Sequence, residues 1–217
     1  MFKKNISNSF NKKRLTSSNI HNYLEELYPD SRKRLLKAKR LQVKPLIQNN
    51  YGQSNDCTLT SLTTCICHLL NYTLTTDIKK VYQTVEKNAK KYFYNGETLG
   101  TLPFFIKKIF DATLKDFNKT KVTKAKYLKN AGFTYTSITK LIDTGIPVIL
   151  SINQDGRNYY TNHTVTIVGY ESYKLASPDI SKNNKLKQFL IVYDNWYDTY
   201  SYLDYEFLSS VCCINHY

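Results

Sequence analysis

The sequence predicts an α+β protein whose helical half precedes a sheet-rich half. Between residues 57 and 110, apolar residues recur at three- and four-residue steps, the period of a helix with one buried face. From residue 146 onward, the apolar runs are short and β-branched and alternate with polar loops, a pattern typical of strands. The chain has 217 residues, of which 41% are apolar and 22% charged, which suffices for one sizeable core. This order of elements indicates the α+β class.

Three helices are expected in the first half of the chain. Residues 57–72 are apolar enough to form a buried helix, with Asn55 or Asp56 as its N-cap. The next helix spans about 77–92, because its apolar residues keep the helical step. A shorter helix is expected at about 101–110.

The second half starts with a helix near 137–143, which Gly145 ends because glycine readily terminates a helix. Strands follow, with a polar insertion at 172–187 between two of them. The expected strands cover 146–152, 163–170, 188–196, 200–204 and 210–216.

Basic residues are concentrated at the start of the chain. Residues 1–45 hold 12 basic and 3 acidic residues, so +9 of the net charge of +14 lies there. Residues 1–20 are expected to be disordered. The sequence of residues 31–41 predicts a charged helix, which a narrow stripe of leucines docks on the domain. We therefore expect a basic N-terminal extension over 1–42, partly disordered with one helix, and a domain over 43–217. The extension is expected to be a solvated tail, with weak binding of an anionic partner as the alternative.

Composition also limits the location of the protein. No run of about 18 apolar residues is present, so no transmembrane segment is expected. The basic start lacks the apolar stretch of a secretory signal, which makes a cytoplasmic chain the default. Five cysteines do not suggest a disulfide framework, and four of them lie in apolar surroundings as reduced packing residues: Cys65, Cys67, Cys212 and Cys213.

Cys57 is the candidate nucleophile, because it follows a turn-rich loop and opens a helix. The N–H groups and the dipole of a helix N-terminus favour a thiolate over a thiol. The neighbouring Asp56 opposes that shift, so a cationic partner is required. An imidazolium is the obvious one.

His163 is the histidine best placed to be that partner. His68 follows Cys57 by 11 residues on one predicted helix, which separates the two by roughly 16 Å. His21 and His216 lie in terminal segments where nothing in the sequence orients a ring. His163 begins a strand and therefore lies at a rigid edge.

Asp194 is expected to orient the imidazole, because it ends the next strand and offers a hydrogen-bond acceptor. Strand alternation puts Trp196 on the same side, where the indole would shield the contact from water. Asn195 is the second choice for this role.

A metal site is the alternative for Cys57, Cys65, Cys67 and His68. On a helix, however, two thiols two residues apart point about 200° from each other and do not converge on one zinc ion. No metal is therefore expected.

The order of these residues resembles that of the papain-like cysteine peptidase superfamily. Its members use a loop Gln, a Cys that opens the central helix, a His on a strand and an Asn or Asp on the next strand. The segments QSNDCTLTSL, GIPVILSI, NHTVTIVGY and FLIVYDNW look like the bacterial branch of bacteriocin-processing, double-glycine-leader peptidases. The resemblance covers residues from about 43 to 205. It implies a papain-like fold, with an N-terminal helical half packed on an antiparallel sheet half.

The resemblance implies that Cys57 is the nucleophile, His163 the general base and then acid, and Asp194 the orienting residue. The family's oxyanion glutamine commonly lies six residues before the nucleophile, where this chain has a tyrosine. Gln53 is the chosen candidate for this donor, and Gln48 is the alternative. A second departure is a threonine after the nucleophile, where the branch usually has glycine.

The implied activity is hydrolysis of a peptide or amide bond through an acyl-enzyme, which needs no cofactor. The expected partner is a peptide or protein substrate. Trp196 would cover the catalytic pair, and Tyr159 and Tyr160 in the loop before the base would line the substrate cleft.

Two other functions remain open on the sequence alone. An acyltransferase of the transglutaminase kind would use the same residues with an amine in place of water. An inactive binding protein would keep the fold and use the basic extension to hold nucleic acid or an acidic partner. In either enzyme, Ser31–Leu41 could act as a regulatory arm over the cleft.

Overall fold

The computed structural model describes most of the chain as a set of five helices and seven strands. The described residues are 13–51, 55–97, 100–120, 125–129, 134–152, 159–176, 185–208 and 211–216. Their side chains are described as well, except those of 125–129 and 211–216. The helices are α1 (Ile20–Leu27), α2 (Cys57–Leu70), α3 (Thr75–Lys90), α4 (Pro103–Asp116) and α5 (Tyr135–Asp143). The strands are β1 (Arg32–Arg40), β2 (Ala125–Lys129), β3 (Val148–Ile152), β4 (His163–Ala176), β5 (Lys185–Tyr193), β6 (Ser201–Asp204) and β7 (Val211–His216).

All seven described strands belong to one sheet with antiparallel pairing. Six of them follow the order β2, β7, β3, β4, β5, β6, and β1 also pairs with β4. One edge of β4 pairs with two strands. Residues 163–167 pair with β3, and residues 169–176 pair with β1. The other edge of β4 pairs with β5. The first residue of β4, His163, therefore lies at one end of the sheet.

Two apolar clusters form the core. One lies between the sheet and the helices α1 and α5. The other lies among α2, α3 and α4, and β3 adds Ile149 to it. Because α2 packs on β3 and β4, its first turn meets the end of the sheet where β4 begins.

Helix α2 is buried along most of its length although it is rich in threonine and serine. Its interior hydroxyl groups donate to main-chain oxygens one turn back, Thr63 to Leu59 at 2.8 Å and Thr64 to Thr60 at 2.9 Å. These bonds satisfy polar groups that would otherwise be costly to bury. The first N–H groups of the helix have no partner within it, which leaves them directed out of its N-terminus.

The α+β class and the order of helices and strands are confirmed. The helices expected at 57–72, 77–92, 101–110 and 137–143 all exist, with ends shifted by a few residues. The polar insertion predicted at 172–187 is longer than the segment between the two strands, because β4 continues to Ala176 and β5 begins at Lys185. Pairing with β1 extends β4 beyond its apolar part. Strand β2 was not expected from the sequence.

The helix predicted at 31–41 is wrong, since β1 occupies this segment. Leu35 and Leu36 are 50% and 45% exposed, so they form no docking stripe. Hydrogen bonds to β4 determine the conformation here, which a reading of the local sequence does not include. The helix of this region is α1, closer to the chain start.

The disorder expected for 1–20 is also wrong for residues 13–20, while residues 1–12 lie outside the described part. Leu15 forms a bridge with Tyr202, whose N–H donates to the Leu15 oxygen at 2.9 Å. Ile20 and Leu24 of α1 are buried in the sheet core. Within the described residues, none of the helices has the length and apolar character needed to cross a membrane.

Candidate active site

Cys57 and His163 meet where the first turn of α2 packs against the start of β4. The residues that follow them are hydrogen-bonded, with 2.9 Å between the hydroxyl oxygens of Thr58 and Thr164. Ser61 adds a bond to the Thr164 main-chain oxygen at 3.3 Å. These contacts bring the two side chains together, and the His163 side chain acts to lower the pKa of the Cys57 thiol.

The thiol of Cys57 differs from the other thiols that the structure describes. Burial raises the pKa of Cys57, but the interactions of the thiol with His163 and Thr164 outweigh this effect and lower the pKa below its usual value. Burial raises the pKa of Cys65 and raises that of Cys67 to about 12. The side chains of the remaining two cysteines lie outside the described residues. Cys57 is therefore the described cysteine most suited to be a thiolate.

Asp56 is buried beside the nucleophile and is held by the helical half. Its carboxylate accepts a hydrogen bond from the Tyr82 hydroxyl at 2.7 Å and from the Asn49 N–H at 3.2 Å. Burial raises the pKa of Asp56, although these bonds act in the opposite direction.

The His163 ring is fixed by a main-chain oxygen and two aromatic rings. Its Nε2 lies 2.7 Å from the carbonyl oxygen of Asp194. Since a carbonyl only accepts hydrogen bonds, Nε2 carries the proton and Nδ1 is left for the thiol. The ring lies 4.3 Å from the Trp196 ring and 5.6 Å from the Tyr160 ring, and it is 4% exposed.

The carboxylate of Asp194 does not make the contact with the imidazole that the sequence predicts. This group is fully buried and lies among five donors instead. The donors are Arg14 Nε at 2.6 Å, the Tyr160 hydroxyl at 2.8 Å, the Ser201 hydroxyl at 3.0 Å and the main-chain N–H groups of Trp196 at 3.1 Å and Tyr197 at 3.3 Å. The N–H bonds turn the side chain toward its own following residues, as aspartate does in turns, and leave the carbonyl to face the ring.

The Asn195 side chain links the helical half to the sheet by hydrogen bonds near Cys57. It has a left-handed conformation, with φ of 64°, and its side-chain Nδ2 lies near three acceptors. These acceptors are the main-chain oxygen of Cys57 at 3.0 Å, the hydroxyl of Ser61 at 2.8 Å and the main-chain oxygen of Thr164 at 2.9 Å. Asn195 therefore positions the nucleophile and does not contact the imidazole through a bond that the structure describes.

The two candidate oxyanion glutamines differ in what the structure describes. Gln53 lies outside the described residues, so its role stays a prediction. Gln48 donates its main-chain N–H to the Asn195 oxygen at 2.8 Å, and its side-chain Oε1 is buried with no hydrogen-bond partner among the described residues. Tyr51, which stands at the spacing usual for the family's glutamine, stacks on Tyr82 with 4.3 Å between the rings.

A cleft of about 430 Å³ opens beside the nucleophile. Its lining comes from Asn55 and the start of α2, residues 100–103, the end of β3, and Asn162 and Thr164, and no lining residue has an acidic or basic side chain. Thr58, at the position where the resemblance predicts glycine, is part of this lining. Residues 31–41 do not contribute, because β1 pairs with the far half of β4. A regulatory arm over the cleft is thus not what this segment forms.

The aromatic residues predicted to line the cleft lie behind the imidazole. Tyr160 is 1% exposed and donates to the Asp194 carboxylate, so in this structure it supports the site instead of facing a substrate. Tyr159 and Trp196 are half-buried, with 5.9 Å between their rings. These rings form an apolar wall that keeps water from the His163 contact.

The matches to known proteins agree with this geometry. The model of the Peptidase_C39 like family matches residues 40–209. The chain belongs to this family. C39 is the bacteriocin-processing branch of the papain-like cysteine peptidases, so the relationship to that superfamily is established. No curated protein and no solved structure gave a significant match to the chain.

Arg14 and Tyr160 are the site residues whose roles sequence reasoning misses. Arg14 lies upstream of the family match, in a segment whose only visible signal is its basic character. No sequence motif around Tyr160 distinguishes a residue that supports the site from a residue that faces a substrate. Their roles depend on contacts over 180 and 34 residues of chain, respectively.

Proposed function

We propose that this protein is a cysteine peptidase that cleaves peptide bonds through Cys57, His163 and Asp194 by way of an acyl-enzyme. The observation that carries the proposal is the position of Cys57 beside an open cleft, with His163 acting to lower the pKa of its thiol. Membership of the Peptidase_C39 like family supports the same reaction class. The lowered pKa of Cys57 is consistent with a nucleophilic thiolate.

In the first step, the Cys57 sulfur attacks the scissile carbonyl carbon and forms a C–S bond. The carbonyl electron pair moves to the oxygen, which becomes an oxyanion. The N–H of Cys57 has no partner within the helix, because it belongs to the first turn of α2, and it is one donor for this oxyanion. A glutamine side chain is the second donor.

His163 then moves the proton. In the thiolate state the imidazole carries a proton on each nitrogen, and the Nδ1 proton passes to the leaving amine as the C–N bond breaks. The neutral ring next accepts a proton from water, whose oxygen attacks the thioester carbon. The C–S bond breaks, the carboxylic acid leaves, and the pair of Cys57 and His163 is restored.

The Asp194 carbonyl keeps Nε2 protonated throughout these steps. This bond fixes which ring nitrogen faces the sulfur, so that Nδ1 is always the nitrogen that exchanges the proton. The neutral carbonyl also stabilises the imidazolium without competing for its Nδ1 proton.

The first test measures the alkylation rate of each cysteine by iodoacetamide against pH, by mass spectrometry. Cys57 should react rapidly down to about pH 5–6, because a lowered pKa keeps the thiolate present below the usual thiol value of about 8.5. His163→Ala should remove this reactivity. The control is His21→Ala, at an exposed position on α1.

The proposal fails if Cys57 titrates as an ordinary thiol, or if His163→Ala leaves its alkylation profile unchanged. A second readout is the cleavage of a peptide library, which Cys57→Ala should abolish. The products also identify the acceptor, because hydrolysis yields free acids and transfer to an added amine yields amides.

A further inference from the structure

A guanidinium group from the start of the chain reaches the back of the active site. Arg14 lies upstream of the family match at 40–209, yet its Nε lies 2.6 Å from Oδ2 of Asp194. Its Nη2 donates to the main-chain oxygen of Thr199 at 2.7 Å. The guanidinium also lies 4.2 Å from the centre of the Tyr197 ring. Arg14 thus contacts three points of the turn at 194–199.

This turn carries the group that orients the catalytic imidazole. The carbonyl oxygen of Asp194 accepts from His163, and the carboxylate of the same residue is fully buried. A buried carboxylate without a cation is unfavourable by several kcal/mol. The other described side chains that donate to it, Tyr160 and Ser201, are neutral hydroxyls. Arg14 is the cation that balances this charge within the described part of the chain.

The Arg14 backbone is held firmly enough to position the side chain. The carbonyl oxygen of Arg14 accepts from the Asn19 side chain at 3.0 Å, and Leu15 bridges to Tyr202 of β6. The next element, α1, is anchored in the sheet core by Ile20 and its neighbours. The arginine side chain is 14% exposed, so it is enclosed by the protein on most sides.

We propose that Arg14 is a positioning residue of the peptidase site. Its planar guanidinium holds the turn at 194–199 in place and so keeps the Asp194 carbonyl directed at His163. This inference rests on the proposed function of Cys57 and His163. It extends the site to a segment outside the family match, so that residues before position 40 complete the catalytic centre of this chain.

The test compares Arg14→Gln with Arg34→Gln in the full chain. Arg34 is a matched control, because it is exposed on β1 and belongs to the same basic region. The probe is iodoacetamide, and the readout is the pH profile of Cys57 alkylation. In Arg14→Gln the profile should move toward that of an ordinary thiol by about one pH unit, which approaches a tenfold lower rate on the acid limb of the profile. Arg34→Gln should match the parent.

A purely structural ion pair would lower the unfolding midpoint of Arg14→Gln without moving this pH profile. Added guanidinium at millimolar concentration should restore alkylation in Arg14→Ala and not change the parent, because the free cation occupies the place of the side chain. An unchanged profile in a folded Arg14→Gln protein overturns the inference and leaves the proposed function standing. If the parent lacks a fast Cys57, both fail.

Arg14→Lys is the variant to use if Arg14→Gln does not fold. It keeps the charge and loses the planar fork that engages Asp194 and Thr199 together. We expect an alkylation rate near pH 6 that is several-fold below the parent. A rate equal to the parent would overturn the inference for the guanidinium group.

Discussion

The main-chain carbonyl of Asp194 orients the His163 imidazole, because it accepts a hydrogen bond from Nε2–H as a carboxylate would. The two differ in charge, since the carbonyl is neutral. At Asp194 the carboxylate is used to close the following turn and to pair with Arg14. Any substitution of this side chain therefore acts on His163 indirectly, through the position of the backbone.

Single substitutions of Gln48 and Gln53 test which glutamine side chain donates a hydrogen bond to the oxyanion. We expect Gln48→Ala to lower kcat by about 10²-fold, as the loss of one oxyanion donor does in other acyl-transfer enzymes. The main-chain bond of Gln48 to Asn195, whose side chain binds the Cys57 main chain, places residue 48 near the nucleophile candidate, and alanine keeps this bond while it removes the side-chain amide. Gln53→Ala is the matched comparison. A loss of kcat in Gln53→Ala alone would return the role to Gln53.

Among the elements, β1 accounts for much of the basic N-terminal charge. It pairs with β4 and with no other described strand, so one of its edges is open. Lysine and arginine on an edge strand prevent pairing with a second chain. Most residues of β1 are exposed, and Lys33 and Lys37 form ion pairs with Glu25 and Asp143 of the same chain. These basic residues therefore have a structural reason that requires no anionic partner.

Helix α1 is the element that joins the N-terminal region to the core. The double substitution Ile20→Ala with Leu24→Ala should lower the free energy of unfolding by about 4–10 kcal/mol, since each buried apolar truncation costs about 2–5 kcal/mol. Both residues are at most 2% exposed. His21→Ala, on the exposed side of the same helix, should change it by less than about 0.5 kcal/mol. Urea denaturation measures both, and equal midpoints would contradict this role of α1.

Across the whole molecule, the proposed catalytic pair spans the boundary between the two halves. Cys57 belongs to the helical half, whereas His163 and Asp194 belong to the sheet. The thiol keeps its lowered pKa only while α2 stays packed on β4, because His163, which acts to lower it, comes from the sheet. Reactivity of Cys57 is therefore a direct measure of how well the halves are joined.

The division into an extension over 1–42 and a domain over 43–217 remains a prediction that a truncation tests. A protein of residues 40–217 lacks α1, nearly all of β1 and Arg14. We expect it to lose cooperative unfolding in urea, since the sheet would expose the apolar face that α1 covers. Fast alkylation of Cys57 should be lost as well. A truncated protein with the parent midpoint would instead show that the domain folds without its extension.

The helices and strands that sequence reasoning found are those with a strong apolar period. Helix α2 and strands β3, β4 and β5 bury most of their residues, so the pattern that fixes their burial is present in the chain itself. Segment 32–40 has no such pattern. Its strand conformation comes from hydrogen bonds to β4, a partner more than 120 residues away.

The sequence by itself determined the α+β class, the family resemblance and the candidates Cys57, His163 and Asp194. Local chemistry is sufficient for these, because residue type, helix start and strand start are all legible along the chain. Only the tertiary structure decided that the Asp194 carbonyl orients the ring, that Asn195 ties α2 to β4 and that Arg14 pairs with Asp194. These roles depend on the direction of single groups after distant segments have packed, and no spacing in the sequence encodes that direction.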